Sequence, residues 1–204
     1  MNKVGIIGGS GFAGEELIRF LLGHDSTSVI AISSRDRKGH PVSEIVQGAD
    51  LVFVDPDDKV FFDCDFIFFS TPHGVSMSKA DSYLKQGIKV IDLSADFRIK
   101  DTQLWKEWYG MEHEDPSNLN EAVYGLTELN FELIKKSKLI AVPGCYPTAS
   151  ILGLLPVIKS GLKISNISID AKSGISGAGR SRVDNGLKDE INENFRAYAT
   201  YGHR

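Results

Sequence analysis

Cysteine is scarce in this sequence. Cys64 and Cys145 are the two present, too few for a disulfide framework. No CxxC pair or Cys/His cluster offers a zinc ligand set, so no metal is expected. Long apolar runs are also missing, and none approaches the ~20 residues of a membrane span. Charge of either sign is in short excess: the formal net is −4, which gives no general attraction to nucleic acid or to anionic lipid. The one dense basic group is Arg35-Asp36-Arg37-Lys38. No internal repeat and no low-complexity segment occurs. The first residues run at once into an apolar strand, which leaves no room for a signal peptide, and the cytoplasm is the expected compartment. What is present is 204 residues, 42% hydrophobic, enough for one domain and somewhat more.

The clearest motif opens the chain. Residues 4–7 form a short apolar run, then come Gly8-Gly9-Ser10-Gly11-Phe12-Ala13-Gly14, then a helical pattern over 15–22. The glycines fit GxGxxG (Gly9, Gly11, Gly14) and also GxxGxxG (Gly8, Gly11, Gly14). Glycine lets the backbone turn sharply and approach a pyrophosphate, which the helix N-terminus then stabilises. Its place between strand and helix is the context such a motif requires. Gly8, Ser10, Gly11, Phe12, Ala13 and Gly14 are therefore expected cofactor contacts. The second strand, 29–32, ends in Ser33-Ser34-Arg35, where a NAD-binding domain usually carries an acid for the ribose hydroxyl. Hydroxyls and a guanidinium suit a 2′-phosphate instead, so NADP(H) is expected over NAD(H).

Strand and helix then alternate. Residues 66–70 read as a buried strand, Thr71-Pro72-His73-Gly74 as its C-terminal loop, 75–86 as a helix and 89–92 as the next strand. Such alternation predicts a doubly wound, parallel, Rossmann-type α/β sheet. Ligands lie at the C-terminal strand ends of these sheets. Residues 71–74 and 93–98 should therefore face the cofactor crevice, with Pro72 and His73 against the nicotinamide. Cys64, at the start of a strand, reads as packing. His113, flanked by acids, reads as exposed.

Residues 139–142 predict a buried strand, broken by Pro143-Gly144. A helix follows, with Pro147 in its first turn and Gly161 at its close. Cys145 thus stands at a helix start, where free N–H groups and the dipole favour a thiolate. Residues 164–170 read as a further strand. Lys172-Ser173-Gly174-Ile175-Ser176-Gly177-Ala178-Gly179-Arg180 is a second glycine-rich loop, and 185–201 is polar and semi-helical. The expected division is a nucleotide-binding domain over 1–147 and, over 148–204, the start of a mixed α+β substrate and dimerisation domain.

Seven stretches resemble the N-acetyl-γ-glutamyl-phosphate reductase family. They are the first glycine loop, Thr71-Pro72-His73-Gly74, Ile91-Asp92-Leu93-Ser94-Ala95-Asp96-Phe97-Arg98, Ala122-Val123-Tyr124-Gly125-Leu126, Pro143-Gly144-Cys145-Tyr146-Pro147-Thr148, the second glycine loop and Gly202-His203-Arg204. The resemblance implies NADPH-dependent reduction of an acyl phosphate in arginine biosynthesis through a cysteine thioester. It implies Cys145 as nucleophile and His203 as acid/base. Arg98 and Lys172 are the expected partners of the acyl phosphate, with Ser173, Gly174 and Gly177 on the nicotinamide side. A homo-oligomer is implied for the full-length protein, with no nucleic acid or membrane partner. The family pattern continues past His203-Arg204, so the resemblance implies a truncated chain. Reductases of aspartyl or aminoadipyl phosphate, and a non-catalytic NADP-binding fragment, stand as alternatives. The Pro-Gly-Cys-Tyr-Pro-Thr stretch argues against the aspartyl enzyme.

Overall fold

Short runs of β-branched and aromatic residues set the sheet. In the computed structural model, residues 1–191, 193–200 and 202 are described. Six strands form: β1 (Asn2–Ile7), β2 (Thr27–Ser33), β3 (Phe66–Phe69), β4 (Lys89–Asp92), β5 (Val123–Tyr124) and β6 (Leu139–Ala141). They lie in the order β2-β1-β3-β4-β6-β5, and every pair is parallel. This is the expected doubly wound sheet. Successive side chains of a strand face opposite sides, and the burial follows. Ile6 belongs to one apolar cluster with Ile18, Ile32 and Phe53. Ile7 belongs to the other, with Phe69, Val90 and Trp105. Ile67 and Phe69 are fully buried, each worth roughly 1.5–3 kcal/mol over an exposed position.

The helices that return the chain are α1 (Phe12–Leu22), α2 (Val75–Lys85), α3 (Thr102–Tyr109), α4 (Pro116–Glu121), α5 (Thr127–Lys136) and α6 (Cys145–Lys159). Ile18 and Leu21 of α1 and Met77, Ala80 and Tyr83 of α2 enter the two cores. Asp101 and Asp115 cap α3 and α4 through their carboxylates, and Pro116 opens α4, as their residue types favour. Among the described residues no helix is long and apolar enough to cross a membrane.

Two expectations fail here. Residues 164–170 form no strand, and Ile164, Ile167 and Ile169 are 40%, 51% and 59% exposed. A strand is stabilised by a neighbour on the same sheet, and none of the described strands lies beside this segment. His113 is buried, not exposed. Its Nε2 lies 2.7 Å from the Asp96 carbonyl, and its ring meets Phe97 and Trp105 edge-on. The flanking acids suggested solvent, but the aromatic slot between the 93–98 loop and α3 decides. Farther on, 183–190 holds only short helical turns, and 193–200 no regular structure.

The loop after β4 is built from buried polar groups. Asp92 accepts the Ser94 amide at 2.9 Å and the Ser94 hydroxyl at 2.8 Å. Asp96 accepts the amides of Gly74 and Met77 at 2.9–3.0 Å, tying this loop to the start of α2. Burial first, and then the nearby Asp96 charge, push the Asp92 carboxyl up to about 7. The folded chain therefore holds a proton that the unfolded chain gives up near 3.8. Stability contributed by protonated Asp92 is present at low pH and lost as pH rises across that window. The slope approaches about 1.4 kcal/mol per pH unit for one proton. Asp92→Asn keeps both Ser94 contacts and has nothing to titrate, so urea unfolding from pH 4 to 8 should show a flatter profile than wild type. Parallel profiles would mean that Asp92 is ionised throughout in the folded state.

Candidate active site

The strands end together. Ser33, Ile7, Phe69, Asp92, Ala141 and Tyr124 form one register row across the sheet. The segments that follow them share the C-terminal edge, where parallel α/β sheets carry their ligands. They include the first glycine turn, 70–74, 93–98 and 142–145.

At the β1 end, Gly8 takes φ +89°, and a Cβ there would stand 2.4 Å from the Ser70 carbonyl oxygen. A Cβ on Gly14 would stand 2.7 Å from the Gly8 oxygen, while one on Gly11 would meet nothing within 4 Å. The spacing that matters is thus Gly8, Gly11 and Gly14: a turn, an open approach and a close helix contact. Gly11 caps α1 with no side chain, so the first-turn amides beside Phe12 and Ala13 meet no capping group from it. Such a cradle fits a diphosphate. The Thr71 hydroxyl oxygen beside it is buried and has no hydrogen-bond partner among the described residues.

The β2 end divides its three expected residues. Ser33 is fully buried, and its hydroxyl accepts the Gly8 amide at 3.2 Å. Ser34 shares a 2.8 Å hydrogen bond with the Ser10 hydroxyl. These serines shape the glycine turn. Arg35 is exposed in the turn beyond them, and it is the member of the set that offers charge to a 2′-phosphate. In the β3 loop, His73 Nδ1 accepts the Ala95 amide at 3.3 Å, and its ring meets Tyr109 edge-on at 4.8 Å. Pro72 is exposed.

At the β6 end, Cys145 is exposed and is the first residue of the 15-residue α6. Gly144 caps the helix, and its carbonyl accepts the Thr148 amide and hydroxyl at 3.0 and 2.8 Å. Arg98 lies against this turn. Its Nε donates to the Val142 carbonyl at 2.7 Å and its Nη2 to the Leu93 carbonyl at 2.8 Å. Its Nη1 would stand 3.2 Å from a Cβ on Gly144. Arg98 was expected to partner an acyl phosphate. In the structure its Nε and Nη2 pin the end of β6 to the loop after β4. The Tyr198 hydroxyl donates to Tyr146 at 2.6 Å, a bond that raises its ionisation to about 12.

The second glycine loop is reached through one residue that sequence reading left without a role. Arg180 Nε donates to the Ser10 carbonyl at 3.0 Å, its Nη2 pairs with Glu15, and its guanidinium lies 4.2 Å from the Phe12 ring centroid. An arginine closing a glycine-rich loop, with an acid in the first turn of α1, was the available signal. Ser173, Gly174 and Gly177 lie on the exposed part of that loop. Lys172 is exposed and paired with Asp170. His203 lies outside the described residues. Among the described residues no group of three His, Cys, Asp or Glu could hold a metal ion.

The family model described as semialdehyde dehydrogenase, NAD binding domain, matches residues 3–137, and that described as semialdehyde dehydrogenase, dimerisation domain, matches 145–204. The chain is 50% identical over 210 residues to the N-acetyl-gamma-glutamyl-phosphate reductase of Pseudomonas savastanoi pv. phaseolicola. That match takes in the whole chain and 61% of the relative, so the chain spans about three fifths of the length of the curated relatives it matches. Among solved structures it is similar to aspartate semialdehyde dehydrogenase II from Vibrio cholerae, with a TM-score of 0.65 and 19% identity over 100% of this chain and 56% of that one. It is also similar to aspartate semialdehyde dehydrogenase with NADP from Candida albicans, with a TM-score of 0.52 and 16% identity over 78% of this chain and 47% of that one. At these identities the likeness concerns the fold alone.

The two thiols differ in environment. Cys64 is 5% exposed, and burial pushes its ionisation up to about 12, whereas Cys145 is open to solvent. Iodoacetamide at neutral pH, read by peptide mass, should label Cys145 about a hundred-fold faster or more, since Cys64 must await local opening. Equal rates would remove the physical basis for treating Cys145 as the reactive thiol.

Proposed function

The chain belongs to the semialdehyde dehydrogenase family, and we propose that it carries the dinucleotide site and the nucleophile of an NADPH-dependent acyl-phosphate reductase. The substrate in this reading is N-acetyl-L-glutamyl 5-phosphate, and the products are N-acetyl-L-glutamate 5-semialdehyde and phosphate, a step of arginine biosynthesis. The name of the relative from P. savastanoi supports that choice. One observation carries the reading: an exposed cysteine opens α6 on the same sheet edge as an uncapped glycine turn. β1 and β6 are three strand steps apart, about 14 Å at ~4.8 Å per step, a span that a dinucleotide can bridge.

The residues divide the work. The Gly8–Gly14 turn would hold the diphosphate, Arg35 the 2′-phosphate, and His73 with Ser173, Gly174 and Gly177 would border the nicotinamide. When bound, NADPH supplies the hydride that reduces the acyl group. Cys145 Sγ attacks the acyl carbon, the carbon–oxygen bond to phosphate breaks, and phosphate leaves with the electron pair. A thioester on Cys145 remains, and after reduction the carbon–sulfur bond breaks to release the aldehyde and restore the thiolate. Amides at the start of α6 stabilise the oxyanion. Arg98 keeps positive charge under the turn where the phosphate departs, with Lys172 as a second candidate cation. His203 moves the proton at the substrate oxygen. The whole protein in this reading is a cytoplasmic homo-oligomer, in keeping with the matched dimerisation domain.

The whole protein should oxidise NADPH with N-acetylglutamyl phosphate and release phosphate in equal amount. Cys145→Ser should lower kcat by about a thousand-fold or more while leaving NADPH affinity unchanged. Turnover only with aspartyl or aminoadipyl phosphate would move the substrate assignment, and full activity of the serine variant would remove the nucleophile.

Cofactor choice has its own test. Arg35→Ala should weaken NADPH by roughly ten- to a hundred-fold, the worth of one charge-assisted contact, and leave NADH nearly unchanged. Equal wild-type affinities for the two cofactors would defeat the 2′-phosphate reading.

A further inference from the structure

Arg180 holds the two glycine-rich loops together. Its partners are three residues of one short stretch, reached across 165 to 170 positions of sequence. The Ser10 carbonyl and the Phe12 ring lie on either side of Gly11, the open position of the turn. Glu15 stands one turn farther, its amide bonded to the Gly11 carbonyl at 2.9 Å. A guanidinium suits this arrangement: one edge donates to two oxygens, and the flat face lies on the ring. A lysine can reproduce the charge but neither the fork nor the stacking.

The grip is selective. Among the described residues, Arg180 makes the hydrogen bonds that join 172–182 to the nucleotide-binding half. Residues 172–178 are exposed, and their other bonds are local, as Gly177 to Gly174 at 3.0 Å, Ser173 to the Gly174 carbonyl at 2.9 Å and Lys172 to Asp170. The first loop is fixed from the opposite side, where Ser33 and Ser34 hold Gly8, Gly9 and Ser10. A rigid turn and a poorly anchored loop are thus joined by one side chain. The Glu15 carboxylate also pairs with Arg19, so it stays in place for Arg180 to engage.

We propose that Arg180 is a positioning residue for dinucleotide binding, which carries the 172–179 loop to the mouth of the cleft by gripping Ser10, Phe12 and Glu15 around the open Gly11. This rests on the dinucleotide reading given above. A ligand that settles on the turn then orders the second loop as well, and the second loop strengthens the hold on the ligand, since the two effects are reciprocal.

The test uses the whole protein, with NADPH affinity from fluorescence titration and amide hydrogen exchange of 8–15 and 172–182 with and without NADPH. In wild type NADPH should slow exchange in both segments. In Arg180→Ala it should slow 8–15 alone, with NADPH bound about ten-fold more weakly. Arg180→Lys should recover little, because charge without the fork is insufficient. Glu15→Gln, which keeps the Ser10 and Phe12 contacts, should fall between, and it answers the question if Arg180→Ala fails to fold. Joint protection and an affinity within two-fold of wild type in Arg180→Ala, or in Glu15→Gln should that variant alone fold, would overturn the proposal. Wild type that binds no NADPH would overturn the dinucleotide reading and this one with it. Wild type that binds NADPH, with variants that behave identically, would overturn only the role of Arg180.

Discussion

Parallel pairing makes six strands end on one edge, and the candidate site depends on that constraint. The register row from Ser33 through Ile7, Phe69, Asp92 and Ala141 to Tyr124 brings residues from positions 8 to 145 to a common rim. Nothing in local sequence places Cys145 near the first glycine turn. A slip of one residue in β4 or β6 would exchange the faces their side chains present and shift Cys145 from the shared rim. The loops after the strands reinforce the row. Val142 donates to the Asp92 carbonyl at 2.8 Å, Leu93 to Phe69 and Ser70 to Ile7, so the ladder runs past the strands into the site.

What could be read from sequence was whatever rests on local pattern. The glycine turn, the strands 66–70 and 89–92, and the helix that begins at Cys145 are set by residue type and spacing, and the sheet bears them out. The two glycine spacings could not be separated by pattern, because Gly8 and Gly9 both lack a side chain. What separates the positions is what surrounds each one: the Ser70 carbonyl against Gly8, open ground at Gly11. The failures are failures of context. Residues 164–170 alternate as a strand does, yet a strand needs a neighbour that no local pattern supplies. His113 sits between acids in sequence and between aromatic rings in space.

Arg98 and Arg180 show the same limit at the site itself. Both stand in motifs that sequence alone marks as chemical, and both spend donors of Nε and Nη2 on the protein. Arg98 joins the carbonyls of Leu93 and Val142, 49 residues apart by their numbers. Arg180 spans a still longer separation to Ser10. Guanidinium groups with several fixed donors are well suited to joining loops that are remote in sequence, and a residue type conveys nothing of which loops those are.

The Asp96 carboxylate has a consequence for where an anion can settle. Helices α1, α2 and α6 all begin at the same rim, so each directs the positive end of its dipole toward one crevice. Three such poles would compete for the phosphates of any ligand. Asp96 fills the middle one, taking the amides of Gly74 and Met77, while Gly11 and Gly144 leave the outer two without a side-chain cap. The crevice is thereby reduced to two attractive points with a neutralised stretch between them, one at the glycine turn and one at Cys145. Charge placed within the protein thus sets where an anion can settle along this rim before any ligand arrives.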